Sequence, residues 1–173
     1  MQSTNLSDRI LRPAQPWFID LSLIVALILS YVPVSRLSGW PDWMALTLCF
    51  WSIRQPQYVG LDKAFLLGLL VDIGHGVAMG QYALAYVLLS HMAHTFSRRI
   101  LWFQPRQQAL HILPMLLITQ VVMTVVRLIA DDSFPGWTYF LAPITGALLW
   151  PALSLLLLWP QYQPEDRDDN RPI

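Results

Sequence analysis

Charged residues are scarce in this chain. Only 13% of its 173 residues are Asp, Glu, Lys or Arg, whereas a soluble globular domain carries about 25%. The 11 basic and 11 acidic residues cancel, so neither a basic patch for nucleic acid nor an acidic surface for a cationic partner is expected. Hydrophobic residues make up 55% of the sequence. This composition excludes a soluble enzyme and a disordered linker, and it predicts an integral membrane protein.

Cysteine and catalytic motifs are also lacking. The lone Cys49 lies in an apolar run and has no second cysteine to pair with, which excludes a disulfide scaffold. The sequence contains no HExxH, GxSxG or P-loop pattern. His91 and His94 would share one helix face, but no nearby cysteine or acid completes a metal-ligand set. We therefore predict no catalytic, cofactor or metal site.

Six apolar runs dominate what remains. A polypeptide in lipid must satisfy its backbone hydrogen bonds internally, and the alternation of a barrel strand is absent, so each run is predicted to be a helix. The expected fold class is an all-α integral membrane protein, a six-helix bundle. Crossing the hydrocarbon core takes roughly 20 residues, so helices 2 and 3 are expected to be short. The runs span residues 17–32, 40–53, 61–77, 82–96, 110–130 and 137–159.

The loop charges predict the orientation in the membrane. Six crossings place both termini on one side, and nine of the loop Lys and Arg residues fall there, against Arg36 on the other side. Positively charged loops stay in the cytoplasm. We therefore expect a cytoplasmic N-terminal segment (1–16), a membrane domain (17–159) and a flexible charged cytoplasmic tail (160–173). The nine residues are Arg9, Arg12, Arg54, Lys63, Arg98, Arg99, Arg106, Arg167 and Arg171.

Small residues recur every four positions in and after the third run. Small side chains at that spacing let two helices approach closely. Two interpretations are open: tight packing of helix 3 within its own bundle, or a groove in which a partner helix docks. The series comprises Gly60, Ala64, Gly68, Asp72, Gly76 and Gly80.

Asp72 is a candidate functional residue, because an acid inside the membrane normally faces the bundle interior and needs a partner. The topology places Asp72 near the outer end of helix 3 and Arg127 near the outer end of helix 5, at similar depth, so the two form a candidate ion pair. In the alternative, Arg127 pairs with Asp131 one turn away on its own helix, and Asp72 reaches interfacial water.

Three further positions have local explanations. Pro151, directly after Trp150, is predicted to kink helix 6. Asp20 and Asp42 lie in the first turns of helices 1 and 2, where the helix dipole favours an acid. Neither acid needs a further role.

The region from residue 40 to 150 resembles the rod shape-determining MreD family. The residues that carry the resemblance are Pro41-Asp42-Trp43, Phe50-Trp51, Pro56, Gly60, the segment 65–72 ending in Asp72, Gly76, Met79-Gly80 and the segment 146–151. No one of these motifs is specific, but their order is. The length and the six-run layout also look like that family.

The resemblance implies a function. Proteins similar to MreD are non-catalytic subunits of the elongasome in the bacterial inner membrane, where they bind MreC and link the MreB filament to peptidoglycan synthesis by RodA and a class B penicillin-binding transpeptidase. They share the fold of vitamin-transporter substrate-binding subunits. The expected contacts are therefore these proteins and membrane lipid, with no cofactor and no nucleic acid. The alternative is a small-molecule membrane transporter or substrate-binding subunit, suggested by small helices and a mid-helix proline.

Overall fold

The computed structural model describes residues 15–32, 39–131 and 134–161, and within them the chain is all-helical. This confirms the predicted helical class. Most of the predicted N-terminal segment and of the charged tail lies outside the described residues. The helices are α1 (Pro16–Tyr31), α2 (Trp43–Arg54), α3 (Leu61–His75), α4 (Gln81–Leu101), α5 (Pro105–Asp131) and α6 (Leu141–Leu158), with 3-10 turns at Trp137–Phe140 and Trp159–Gln161.

The shortest helix forms the centre of the molecule. Helix α2 has 12 residues, and residues 44–53 are all buried. It contacts α1, α4 and α6. Because neighbours surround it, its apolar residues need no helical period, and a continuous apolar run suits every face.

Hydrogen bonds between side chains on different helices show how the helices run. Trp51 near the end of α2 donates to Ser22 near the start of α1, at 2.7 Å. Trp150 in α6 donates to Gln108 at the start of α5, at 3.3 Å. Further along α5, Gln120 donates to the Tyr139 carbonyl oxygen just before α6, so α5 and α6 run in opposite directions. The ends of α1 and α3, the later half of α5 and the starts of α2, α4 and α6 meet at one end of the bundle, which we call the outer end. The residues that meet there include Ser30, Trp43, His75, Tyr82, Met123 and Ala142.

Among the residues that the structure describes, two helices have the length and composition of a membrane span, Pro105–Ala130 and Trp137–Gln161, while Pro16–Tyr31 is apolar but shorter. Large apolar side chains also face outward on other helices, such as Ile28 on α1 and Leu66 on α3. An apolar exterior of this kind fits lipid better than water. Crossing of the membrane by all six helices stays a prediction.

Both long helices contain an internal proline. Pro151 lies inside α6, and Pro114, which our sequence analysis did not single out, lies inside α5. Both helices continue past their proline. Trp150 is buried at 1% exposure, where its indole N–H bonds to Gln108. The kink at Trp150 and Pro151 stays a prediction.

Candidate functional site

Helices α3 and α4 touch through their backbones at Gly68. A Cβ atom built at this glycine would lie 2.7 Å from the backbone nitrogen of Ala83 and 2.8 Å from the carbonyl carbon of Tyr82. Neighbouring Ala64 is fully buried on the same face of α3. At Gly68 the missing side chain therefore lets α3 pack closely against α4 of the same chain, and the choice between the two interpretations of the series stays a prediction.

The later glycines of the series form the turn between α3 and α4. Gly76 ends α3 with φ of +63° and Gly80 precedes α4 with φ of +101°, conformations that favour glycine. No atom lies within 4 Å of a Cβ built at either residue. Gly60 directly precedes α3. The series thus divides between a packing face and a turn, and its role as a partner interface stays a prediction.

The Asp72 side chain of α3 binds the backbone at the other end of this turn, where α4 begins. Its buried carboxylate accepts hydrogen bonds from the backbone N–H groups of Gly80 at 2.9 Å, Tyr82 at 2.8 Å and Ala83 at 3.4 Å. Gly80 has no side chain with which to cap α4, so Asp72 from α3 supplies the acceptor that an N-cap residue normally provides. The positive end of the α4 dipole further stabilises the negative charge.

This geometry gives Asp72 partners that our sequence analysis did not foresee. The ion pair between Asp72 and Arg127 stays a prediction, and Arg127 is half-buried in α5. The competing local pair rests on Asp131, whose side chain lies outside the described residues. Asp20, expected to be a first-turn acid, lies 3.1 Å from the Lys63 ammonium in an exposed ion pair between α1 and α3.

Asp42 has more contacts than a first-turn acid requires. It is the N-cap of α2 and accepts from the backbone N–H of Ala45 at 2.9 Å. The Tyr86 hydroxyl of α4 also reaches both of its carboxylate oxygens, at 3.0 and 2.9 Å. Asp42 therefore joins α2 to α4 at the outer end, in addition to its expected place at a helix start.

A cavity of about 90 Å³ opens beside Asp42 at the outer end. Aromatic residues make up much of its wall, and polar groups converge on it from several helices. The lining includes Trp40, Asp42, Trp43, His75, Tyr82, Gln120 and Tyr139. No sequence pattern described above grouped these tryptophans with the tyrosines. The signal that could have found the group is their shared depth at the outer ends of the predicted helices.

The side chains around the cavity are held by their own contacts. His75 stacks on Tyr82 with ring centroids 5.4 Å apart, and its ring nitrogens lie 3.2 Å from the Val71 carbonyl oxygen and 3.1 Å from the Ser30 carbonyl oxygen. Gln120 donates to the Tyr139 carbonyl oxygen at 3.3 Å. Contacts within the protein therefore hold the side chains that line the cavity in place. Within the described residues, no group of His, Cys, Asp and Glu has the arrangement of a metal site.

These features define an all-helical protein with membrane-length apolar helices, a backbone-packed helix pair and a polar outer cavity. Comparison with known proteins narrows the class. The family model for rod shape-determining protein MreD matches residues 12–159, so the chain belongs to the MreD family, a family of membrane proteins that determine cell shape. The resemblance inferred from the motifs is confirmed.

A curated relative supports the assignment. The rod shape-determining protein MreD of Haemophilus influenzae is 28% identical over 155 residues, which cover 82% of this chain and 89% of that protein. No solved structure matches the chain.

Proposed function

We propose that the chain is a non-catalytic, multi-pass subunit of the cell-wall elongation complex in the bacterial inner membrane. The observation that carries the proposal is the family match across residues 12–159. The subunit binds MreC directly and belongs to the same complex as the MreB filament, RodA and a class B penicillin-binding transpeptidase. Through these contacts it links the filament to peptidoglycan synthesis.

Several features of the bundle support a scaffold role. The described connections between helices are short, such as residues 76–80 and 102–104, so within residues 15–32, 39–131 and 134–161 the protein offers little surface beyond its helices. Such a protein acts mainly through helix contacts and short loops. The alternating helix directions support six crossings with both termini in the cytoplasm, as the loop charges predict.

Depletion and co-purification test the scaffold proposal together. Depleting the protein from a rod-shaped host should produce round cells, and MreC should co-purify with the tagged chain from native membranes. Cells that keep their rod shape after depletion would contradict the proposal, as would tagged protein that leaves MreC behind under conditions that preserve other membrane complexes.

Reporter fusions test the orientation. A cytoplasmic reporter fused after Ile173 should be active, and a periplasmic reporter inserted after Asp132 should be active at that site instead. An active periplasmic reporter at the C-terminus would contradict the six-crossing orientation.

The outer cavity favours a second candidate function, a small-molecule transporter or substrate-binding subunit like those of vitamin transporters. Such sites are concave and aromatic, with a few converging polar groups. Uptake by vesicles containing only this chain would support this function, and shape loss upon depletion with no effect on uptake would contradict it.

A further inference from the structure

We propose that the outer cavity binds a small organic cation, a protonated amine with a short apolar group. The occupant is a small molecule, and the site is independent of the scaffold role. With about 90 Å³ of space, and roughly 10–15 Å³ for each water-sized occupant, the cavity accommodates a ligand of about six to nine non-hydrogen atoms.

The sign of the charge follows from Asp42. Within the described residues, Asp42 forms no ion pair with a Lys or Arg side chain, and the charged group that acts on it from the same cavity is His75. Asp42 accepts hydrogen bonds from the N–H of Ala45 and the hydroxyl of Tyr86. An ionised carboxylate has about four acceptor sites, so Asp42 keeps capacity for a donor inside the cavity. An ammonium group supplies both a donor and a positive charge.

The aromatic wall favours the same ligand. Trp40 and Trp43 meet edge to face with ring centroids 6.4 Å apart, and Tyr82 and Tyr139 also line the cavity. Rings attract a cation through their negative faces, an effect that strengthens when water is excluded. They also give an apolar substituent a surface to cover.

The remaining polar groups of the cavity would orient the ligand through hydrogen bonds. His75, which also lines the cavity, already has a carbonyl oxygen beside each ring nitrogen. Trp43 presents a buried indole N–H that has no hydrogen-bond partner among the described residues. A buried donor of this kind calls for an acceptor, which a water or a ligand oxygen beside the ammonium would supply.

Three probes of similar size and different charge test the proposal. Equilibrium dialysis would compare n-butylammonium, n-butanol and butyrate against the full-length protein purified in detergent. We expect saturable binding of n-butylammonium, weaker binding of n-butanol and none of butyrate. Equal binding of all three probes, or binding of none, would overturn the proposal.

Asp42→Asn supplies the matched variant, because asparagine is also a good N-cap and still accepts a hydrogen bond. It should weaken n-butylammonium binding about tenfold or more, the usual range for a charged hydrogen bond, and leave n-butanol binding unchanged. Asp20→Asn, which removes an acid outside the cavity, should change neither. Should Asp42→Asn fail to accumulate, Tyr139→Leu removes one ring and should weaken binding of n-butylammonium more than that of n-butanol. An unchanged affinity in the variant that accumulates would overturn the proposal.

Discussion

Two acids accept backbone N–H groups at the start of a helix, the buried Asp72 at the start of α4 and the half-buried Asp42 at the start of α2, yet their surroundings differ. Asp72 accepts three backbone N–H groups in a place where α3 and α4 touch through glycine. Asp42 accepts one N–H and one tyrosine hydroxyl beside a cavity with aromatic walls. A carboxylate at a helix start therefore occurs in two settings. At Asp72 it lies in the closely packed contact between α3 and α4, the closed region, and at Asp42 it lies beside a cavity, the open region. The closed region is suited to holding helices together, and the open one to binding.

The closed region should be the more fragile of the two, and bulk at Gly68 tests this most severely. Gly68→Leu inserts a side chain where a Cβ alone already meets the α4 backbone. Overpacking typically costs 1–3 kcal/mol, and backbone contact leaves little room to relax. We expect loss of folded protein and of rod shape in a complementation assay. Leu66→Ala on the outward face of α3 is the control and should accumulate normally. Normal accumulation of Gly68→Leu would mean that the helices are not in close contact.

The second-largest loss of stability is expected when the carboxylate of Asp72 is removed. Asp72→Ala leaves three N–H groups of α4 without their bonds, and each unsatisfied buried group costs about 1–3 kcal/mol. We expect a large fall in the midpoint of thermal unfolding in detergent. Asp72→Asn retains one acceptor oxygen and should lose less. Similar midpoints for Asp72→Ala and the unaltered protein would show that the hydrogen bonds of Asp72 do not stabilise the start of α4.

A charge swap separates the cap from the ion pair. If Asp72 acts chiefly as the acceptor for α4, then Asp72→Arg with Arg127→Asp should not recover the loss, because arginine has no acceptor. The ion pair makes the opposite forecast: each single change strands a charge and the swap restores it in part. Protein abundance and cell shape report the result. Under the local alternative, Asp131→Asn should resemble Arg127→Gln.

The open region should tolerate change better. Tyr86→Phe removes the hydroxyl from Asp42 while the Ala45 N–H remains. A hydrogen bond to a charged group contributes about 1.5–3 kcal/mol, so we expect a smaller fall in the unfolding midpoint than for Asp72→Ala. Tyr58→Phe, on an exposed tyrosine, serves as control. A larger fall for Tyr86→Phe than for Asp72→Ala would reverse the comparison.

The smallest changes in stability are expected for substitutions in the turn between α3 and α4. Gly76→Ala forces an L-residue into the left-handed region at φ of +63°, at a cost of about 1–2 kcal/mol. Gly76→Asn should be milder, because asparagine tolerates that region at helix ends. The two variants should therefore differ in unfolding midpoint, and equal midpoints would show that this conformation does not limit stability.

Sequence patterns located the helices well but not all of their ends. The fourth apolar run was predicted to stop at residue 96 and the fifth to begin at 110, whereas α4 continues to Leu101 and α5 begins at Pro105. The missing turns carry Arg98, Arg99 and Arg106. Charged residues end a hydrophobic run, but they do not end a helix that projects beyond the apolar layer.

The sequence by itself determined the class of the protein, its helices and its family, because low charge and long apolar runs admit few other structures. Only the tertiary structure decided how the acids are used. Asp72 finds its donors because two glycines with positive φ bring the start of α4 back over the end of α3. The cavity beside Asp42 exists because α2 lies at the centre and its N-terminus meets aromatic residues from other helices. Contacts between residues so distant in the chain depend on how the helices pack, which no local pattern encodes.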